Sequence, residues 1–469
     1  MKPAKETRRV EGRDQPRENP RGEARGRTQS RVTPPPNLAR VNAVAHRADQ
    51  TQFTALLHHV DREALERAFR RQKRQASAGV DGITVEMYEM DLETNLQDLH
   101  ACIHTGRYRP QPVRRVYIPK ADGGQRPLGV PALEDKIVQG AVAELLSTIY
   151  EVDFRGFSYG FRPRRNPHMA LDALHTALMS QRVNWVLDAD IRSFFDSVDH
   201  EWLMRMLAHR IADRRVLRLI RMWLEAGVLE SGEWRETDRG TPQGAGISPL
   251  LANVFLHYVL DLWVQQWRRR HTHGRLVIVR YADDFVMGFE KADDAQRMLA
   301  ALKERLTKFG LVLHDEKTRL IEFGRLPAMA RRQRGLRRPE TFAFLGFTHY
   351  CGWTRDGRFI VKLKTQSNRL TRKLKAMRQE AWRLMHAPLT VQHRWYTSVL
   401  LGHYGYYGRP QNFPALHAFR QEMIRIWLTC LRRRSQKSRR MSWQMFGAVL
   451  DRFPLPTPRI THPWTVRAA

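Results

Sequence analysis

Three aspartates of this chain have a spacing and a setting that suit metal chemistry. Asp283 and Asp284 are adjacent in VRYADDFVMGF, residues 279–289, and Asp190 lies within the apolar run WVLDADI. Adjacent carboxylates repel each other unless a cation lies between them, and an apolar strand rarely holds an unpaired charge. Carboxylates at neighbouring strand ends are the ligands that two Mg²⁺ ions, about 3.5 to 4 Å apart, need for in-line phosphoryl displacement. The three aspartates therefore predict a site for two magnesium ions.

The sequence around the aspartates predicts strands that would bring them together. LVIVRYA and FVMGF are rich in β-branched and aromatic residues, which predicts a hairpin with Asp283 and Asp284 at or near its connection. Acids in such turns are often only turn formers, and Asp190 alone is equally consistent with a paired aspartate on an edge strand. Phe195, five positions beyond Asp190, is close enough along the chain to wall a small pocket beside the carboxylate.

Two glycine-containing segments could place cations or backbone against a phosphate. VYIP and RPLGV predict a hairpin with the tip DGG, and Lys120 and Arg126 stand on either side of that tip. Arginine binds phosphate oxygens in a bidentate manner and lysine adds a compact charge, but solvated cations at hairpin tips are also common. Residues 240–246 lead into a predicted apolar helix and form either a ligand-binding loop or an ordinary turn.

The charge of the chain indicates a polyanionic partner. Its 469 residues carry 80 Lys and Arg against 48 Asp and Glu, giving a formal net charge of +32 and a pI near 10.9. This field attracts nucleic acid, and the absence of a run of about 18 apolar residues argues against a membrane partner. Cysteines occur without a C-x-x-C pair, which excludes a zinc ribbon and a disulfide framework and favours a reducing cytoplasm. They are Cys102, Cys351 and Cys430.

Composition and apolar spacing divide the rest of the chain. Residues 1–45 mix arginine with acids, proline and glycine and have almost no large apolar residue, which predicts a disordered basic tail. From Phe53 onward the spacing is helical, with Asp61 as a local cap, so residues 46–110 are predicted to be a helical extension. Residues 111–358 contain the predicted hairpins and the three aspartates.

Residues 359–469 have the pattern of a helical domain. Apolar residues recur at intervals of three and four in two segments, which predicts two amphipathic helices, and the glycines of GHYGYYG between them suggest close helix packing. The first helix is predicted to present a basic face outward, which is either simply solvated or neutralises phosphates. That face comprises Arg369, Arg372, Lys373 and Lys375.

Eight short motifs follow one another along the chain. They are SAGVDG (77–82), IPKADGGQRPLGVP (118–131), SYGFRPRRNPHMAL (158–171), DADIRSFFDSVDH (188–200), GTPQGAGISPLLANVFL (240–256), YADD (281–284), HDEKT (314–318) and FLGF (344–347). YADD alone is a weak signal, but the ordered series resembles the reverse transcriptases encoded by bacterial group II introns, also called intron maturases. The resemblance runs from about Phe53 to the C-terminus. It implies an α+β right-hand polymerase with fingers, a palm built on an antiparallel sheet, and an α-helical thumb or maturase domain.

The resemblance also implies roles for individual residues. Asp190, Asp283 and Asp284 would hold two Mg²⁺ ions, one activating the primer 3′ hydroxyl and the other bridging the phosphates of the incoming nucleotide. Lys120 and Arg126 would contact the triphosphate of that nucleotide.

Three further residues match positions that contact the substrate in this family. Phe195 would fill the space that a 2′ hydroxyl needs, so that deoxynucleotides are accepted. Gln243 would pack near the nascent base pair, and Lys317 would assist the leaving pyrophosphate, although His314 stands where the family pattern usually has Asn. FLGF would be a strand turn that grips the primer.

The function implied by the resemblance is RNA-directed DNA polymerisation together with binding of the group II intron RNA to assist splicing and mobility. The expected partners are that intron RNA, an RNA template with a DNA primer, deoxynucleoside triphosphates and a DNA target site, in the bacterial cytosol or nucleoid. The chain after LRRRSQK lacks the cysteine pairs of an endonuclease domain, which resembles the compact class C intron proteins. The alternatives are a retron or diversity-generating reverse transcriptase, against which the long thumb and GHYGYYG argue, and a purely RNA-binding maturase, which the three aspartates disfavour.

Overall fold

The computed structural model describes residues 35–47, 51–119, 124–230, 233–235, 239–240 and 246–464, and the first of these are helical. The elements are α1 (Pro36–Arg47), a 3₁₀ turn (Leu57–His59), α2 (Arg62–Arg70), α3 (Val85–Glu89) and α4 (Leu92–His104). Asp61 caps α2 as predicted, because its side chain accepts a hydrogen bond from the backbone N–H of Ala64. Helix α1 corrects the predicted disordered tail, since Leu38, Val41 and Ala45 are buried. The rest of that predicted tail, residues 1–34, lies outside the described residues.

A first sheet contains the predicted hairpin. β1 (Val113–Pro119) pairs antiparallel with β2 (Gln125–Val130), β4 (Val228–Glu230) runs parallel to β1, and β5 (Glu233–Arg235) completes the order β2-β1-β4-β5. Five helices lie between these strands in the chain: α5 (Leu133–Asp153), α6 (Pro167–Ser180), α7 (Phe194–Ser197), α8 (His200–Ala208) and α9 (Arg214–Glu225). α5 is the central helix of this half, and both α1 and α2 pack on it.

A second sheet of four strands has helices or strands on both faces. Its order is β6 (Leu276–Tyr281), β7 (Asp284–Phe289), β3 (Trp185–Ala189) and β8 (Arg319–Glu322), and every neighbouring pair is antiparallel. The helices of this part are α10 (Ser248–Leu256), a π turn (His257–Asp261), α11 (Leu262–Arg270) and α12 (Ala292–Thr307). Leu187 and Phe285 join one buried cluster, whereas Val186 and Val286 join another. Burial on both faces explains why these strands are continuous apolar runs.

A third sheet leads into the C-terminal helices. The elements are α13 (Arg325–Gln333), β9 (Phe342–Phe344), β10 (Phe347–Trp353), β11 (Phe359–Thr365), α14 (Ser367–Arg383), α15 (Leu389–Tyr407), α16 (Phe413–Arg433), a 3₁₀ turn (Lys437–Arg440) and α17 (Trp443–Arg452). β11 pairs with β10 along its whole length, so the domain boundary predicted between residues 358 and 359 falls inside a hairpin. A boundary at the start of α14 would leave this hairpin intact.

The C-terminal helices form a bundle with its own core. Tyr396, Leu416 and Trp427 are among the buried residues that α15 and α16 contribute to it. The sequence predicts close packing at the glycines of GHYGYYG. Gly408 lies against the backbone of Thr461, but Gly402 has open space where a Cβ atom would stand. No helix within the described residues is both long and apolar enough to cross a bilayer.

Candidate active site

The three aspartates meet at one end of the second sheet. Asp190 directly follows β3, and Asp283 with Asp284 occupies the connection from β6 to β7. Because β3 runs antiparallel to β7, with Ala189 opposite Phe285, the last residue of β3 lies beside that connection. The predicted hairpin is therefore confirmed. Asp190 differs in one detail, since it stands just beyond the strand rather than within it.

A fourth carboxylate, Asp188, belongs to the same group. Asp188 and Asp190 are two residues apart, so they project from the same face at the end of β3. Burial raises the pKa of Asp188 to about 6, while Arg319, 3.6 Å away and opposite in β8, acts to lower that pKa. Asp188 is not among the predicted ligands, although the D-x-D spacing is a signal for it.

The pKa of Asp284 is raised in this group of carboxylates. Burial, followed by the charges of Asp188, Asp283 and Asp190, raises the pKa of the Asp284 carboxyl to about 7, and Arg369 acts in the opposite direction. A carboxyl with this pKa is ready to exchange its proton for a cation near neutral pH.

Lys317 supplies a positive charge to this group. Its Nζ lies 3.2 Å from an Oδ atom of Asp190. The backbone explains the placement, because the N–H of His314 donates to the carbonyl of Asp190 and starts the turn that carries Lys317. The lysine side chain is 59% exposed, so it can leave this pair for a ligand.

The carboxylates at the sheet end suit a hard divalent cation in their chemistry, but their oxygen atoms do not form a compact group of ligands. Carboxylate oxygens are the ligands that Mg²⁺ prefers, and the charges of Asp188, Asp283 and Asp190 add to burial in raising the pKa of Asp284. Within the described residues, however, the group of three whose ligand atoms all lie within 4.8 Å of one another is a different one, His273, Asp293 and Asp294. There Arg297 already bonds to both aspartates, at 3.0 and 2.6 Å. The carboxylates of that group are therefore already paired with an arginine.

A buried arginine supports the connection that carries Asp283. Arg280, the residue before Tyr281, is fully buried and pairs with Asp261 through two hydrogen bonds of 2.8 and 2.5 Å. Its remaining nitrogen, Nη1, donates to the carbonyl of Ala282 at 2.9 Å and to Asn253 at 3.0 Å. Ala282 has a φ of +57°, a left-handed conformation that costs free energy in a residue other than glycine, so the turn needs this support. Sequence reasoning did not find this pair.

The SYGF motif packs directly against the same turn. Ser158 forms a parallel bridge with Arg280, and the N–H of Tyr159 donates to the carbonyl of Arg280. At Gly160 a Cβ atom would collide with the backbone nitrogen of Ala282. Only glycine therefore allows this close approach of the two segments.

Phe195 lies in α7, half-buried and edge-on to Phe194 at a centroid distance of 5.3 Å. The loop motif that begins at Gly240 touches this point: Gly240 has a φ of +92°, and a Cβ there would lie 2.9 Å from the carbonyl oxygen of Phe195. The structure thus brings the start of the GTPQG loop next to Phe195. Gln243 itself lies outside the described residues, as do Lys120 and the side chain of Arg126.

The four predicted RNA-binding cations of α14 do not share one face. Arg372 and Lys375 are exposed, but Lys373 points inward, 3.2 Å from His403 Nδ1 and 5.2 Å from the ring centre of Phe419. This contact corrects the predicted outward face, and burial lowers the pKa of the Lys373 ammonium. The guanidinium of Arg369 lies at the β9–β10 turn, so close to Gly346 that a Cβ atom added to this glycine would be 3.1 Å from it. That turn is the predicted FLGF strand turn.

Comparisons with known proteins give one family match and several relatives. Residues 118–349 match the family model described as reverse transcriptase (RNA-dependent DNA polymerase). Protein YkfC of Escherichia coli K12 is 38% identical over 237 residues, which cover 45% of this chain and 62% of that protein. The group II intron-encoded protein LtrA of Lactococcus lactis is 39% identical over 194 residues, covering 41% of this chain and 32% of that protein.

A further similarity is to the putative COX1/OXI3 intron 1 protein of Saccharomyces cerevisiae, 27% identical over 299 residues that cover 54% of this chain and 36% of that protein. The chain thus spans less than two thirds of the length of the curated relatives it matches. The matched family region contains the second sheet with all four carboxylates. Residues 118–349 therefore form a reverse transcriptase domain, and this part of the chain is similar to a group II intron-encoded protein.

Proposed function

We propose that the chain is an RNA-directed DNA polymerase built as a right hand. In this assignment the second sheet is the palm, the β1–β2 hairpin belongs to the fingers, and α14, α15 and α16 form the thumb. The observation that carries the proposal is the meeting of Asp190, Asp283 and Asp284 at one sheet end within a reverse transcriptase domain.

The three aspartates would hold two Mg²⁺ ions, which supply charge neutralisation and activation of the primer hydroxyl when bound. Other residues of the site would adjust to the positive charge of the two ions. Asp284 must lose its proton before it can act as a ligand, and Lys317 pairs with Asp190 until a phosphate offers a competing negative charge. Arg280 fixes the turn, so that the ligands need little rearrangement.

Substrate selection is assigned to residues around this centre. Phe195 is the proposed wall against the ribose 2′ hydroxyl, because it lies five positions beyond Asp190 and its ring is only half-buried. Lys120 and Arg126 are proposed triphosphate contacts and Gln243 a contact of the nascent base pair, on the strength of the motif resemblance.

A second activity, binding of group II intron RNA to assist splicing, is proposed on the relatives and on charge. LtrA is named as a group II intron-encoded protein, and the net charge of +32 suits a phosphate-rich partner. The exposed cations Arg372 and Lys375 of α14 are available for such contacts, whereas Lys373 is not.

Asp283→Asn tests the polymerase assignment. The variant removes one negative charge without changing side-chain size, so Mg²⁺-dependent primer extension on an RNA template should fall at least about 100-fold while RNA affinity is kept. Asp315→Asn is the matched control, because the Asp315 side chain is 83% exposed and forms an ion pair with Lys303 at 3.4 Å. Undiminished extension by Asp283→Asn would remove this residue from the site, and equal loss in the control would mean that surface charge alone explains the effect.

A further inference from the structure

A groove of about 380 Å³ lies between α14 and α16. Its apolar floor includes Trp382 and the buried Ile426, and we call it the α14–α16 groove. Its rim is basic, with Lys375 and Arg378 from α14 and Arg425 and Arg433 from α16.

Trp382 gives this groove an aromatic surface that is open to solvent. The side chain is 51% exposed although α14 is otherwise rich in charged residues, and the guanidinium of Arg433 lies 4.9 Å from its ring centre. Proteins stack unpaired nucleobases on exposed indole rings that are flanked by cations. The flat face of the base packs on the ring, and the cations bind the phosphates of the nucleotide.

The positive charge of the groove rim favours an anionic ligand. Four cations face a single carboxylate, Glu422, which is already shared by Arg378 at 3.5 Å and Arg425 at 2.6 Å. The N-terminal residues 1–34 carry ten Lys and Arg against five Asp and Glu, so this segment is repelled rather than attracted. A second copy of a chain with a net charge of +32 is repelled for the same reason.

The groove lies on a different side of α14 from the catalytic aspartates. Arg369 points to the β9–β10 turn and acts on Asp284. Arg378 follows it by nine residues, about two and a half helical turns, so the two side chains leave the helix in opposite directions. A ligand in the groove would therefore be bound in addition to a template and primer at the sheet end.

We propose that the α14–α16 groove binds an unpaired nucleotide of a folded RNA, with the base stacked on Trp382 and the adjoining phosphates at Arg378 and Arg425. The inference rests on the proposed function and names a contact site for its RNA partner. RNA is the specified source because folded RNA presents bulged and looped bases beside structured backbone, and these are the features that proteins recognise in it.

The test measures the affinity of the full chain for an RNA hairpin that carries one bulged adenosine and for its fully paired counterpart. Trp382→Ala should weaken binding of the bulged hairpin about 5- to 150-fold and leave the paired hairpin unchanged, whereas Trp382→Phe should keep most of the affinity. Trp443→Ala is the matched control, since Trp443 is 54% exposed on α17, and it should bind both hairpins normally. Arg378→Gln with Arg425→Gln should reduce the slope of log K against log salt by about 1.5.

Three results would overturn the inference. They are no loss for Trp382→Ala on the bulged hairpin, an equal loss on the paired hairpin, and equally tight binding of a DNA hairpin with the same bulge. Extension of a pre-annealed primer by the unaltered chain separates this failure from that of the proposed function. Normal extension with no effect of Trp382→Ala removes only the groove assignment, whereas absent extension removes the polymerase proposal.

Discussion

Replacing Arg280 by methionine should separate the stability of the protein from the alignment of its catalytic turn. The substitution leaves the Asp261 carboxylate buried without its partner and removes the hydrogen bond to the carbonyl of Ala282. Breaking a fully buried ion pair costs about 3 to 5 kcal/mol, against a total stability of about 5 to 15 kcal/mol. The variant should therefore remain folded but unfold at a lower temperature.

The catalytic effect follows from geometry. Ala282 and Asp283 form the turn, and a displacement of about 1 Å in a catalytic group lowers the rate about 100-fold. We expect kcat for primer extension to fall by about that factor with a much smaller change in KM for the nucleotide, because no group that contacts the nucleotide has been removed.

The double variant Arg280→Met with Asp261→Leu makes this prediction discriminating. Replacing both members of a buried pair by apolar residues is often neutral for stability, so the unfolding temperature should recover. Extension should stay low, because methionine cannot donate to the carbonyl of Ala282. Arg210→Met is the matched control: Arg210 is buried and lies 3.0 Å from Asp153, in a pair on the helical side of the protein. It should lose stability by a similar amount and keep its kcat.

Thermal unfolding by circular dichroism and steady-state extension on the same preparations decide the matter. If the double variant recovered activity together with stability, the arginine would act only through folding. Normal kcat in Arg280→Met would show that the turn does not depend on the buried pair.

Two further predictions concern the nucleotide and the metal. Phe195→Val should raise the ratio of ribonucleotide to deoxynucleotide incorporation, since it removes the ring that is proposed to exclude the 2′ hydroxyl, and an unchanged ratio would place the discriminating wall elsewhere. Because the pKa of Asp284 is raised from 3.8 to about 7, the carboxyl stabilises the metal-free protein when protonated, and this contribution is lost as the pH rises from about 4 to about 7. Mg²⁺, which needs the ionised form, should accordingly raise the unfolding temperature more at pH 8 than at pH 6, and Asp284→Asn should lose most of that difference; equal shifts at both pH values in the unaltered chain would contradict the reasoning.

The parts of the site that could be predicted from the sequence depend on local patterns. The β6–β7 hairpin follows from two β-rich runs around YADD, and the cap at Asp61 follows from residue type and position. Asp188 could also have been found, because the period of two in a strand places it on the same face as Asp190. The dipeptide Asp356-Gly357 is a turn signal and predicts the β10–β11 hairpin, which the predicted domain boundary divides. Gly357 has the positive φ, +74°, that such a turn requires.

The remaining features depend on contacts that no local pattern encodes. Arg280 and Asp261 are nineteen residues apart, and they meet because a π turn interrupts the helix that carries Asp261. Lys373 is charged, so its type predicts exposure, yet its ammonium nitrogen lies 5.2 Å from the ring centre of Phe419 in another helix. In both cases the partner lies on another element, and the packing of the two elements fixes the contact.

The tight contact between Gly160 and Ala282 determines what must accompany the β6–β7 turn, besides β3 with Asp190, in any transplant of the site. A designer who transplanted only the β6–β7 hairpin into another scaffold would leave behind the segment that forms hydrogen bonds with Arg280 and fills the space behind the turn. A transplant must therefore include residues 157–160 with the hairpin. Any replacement scaffold must also offer a backbone, with no side chain, at the place of Gly160.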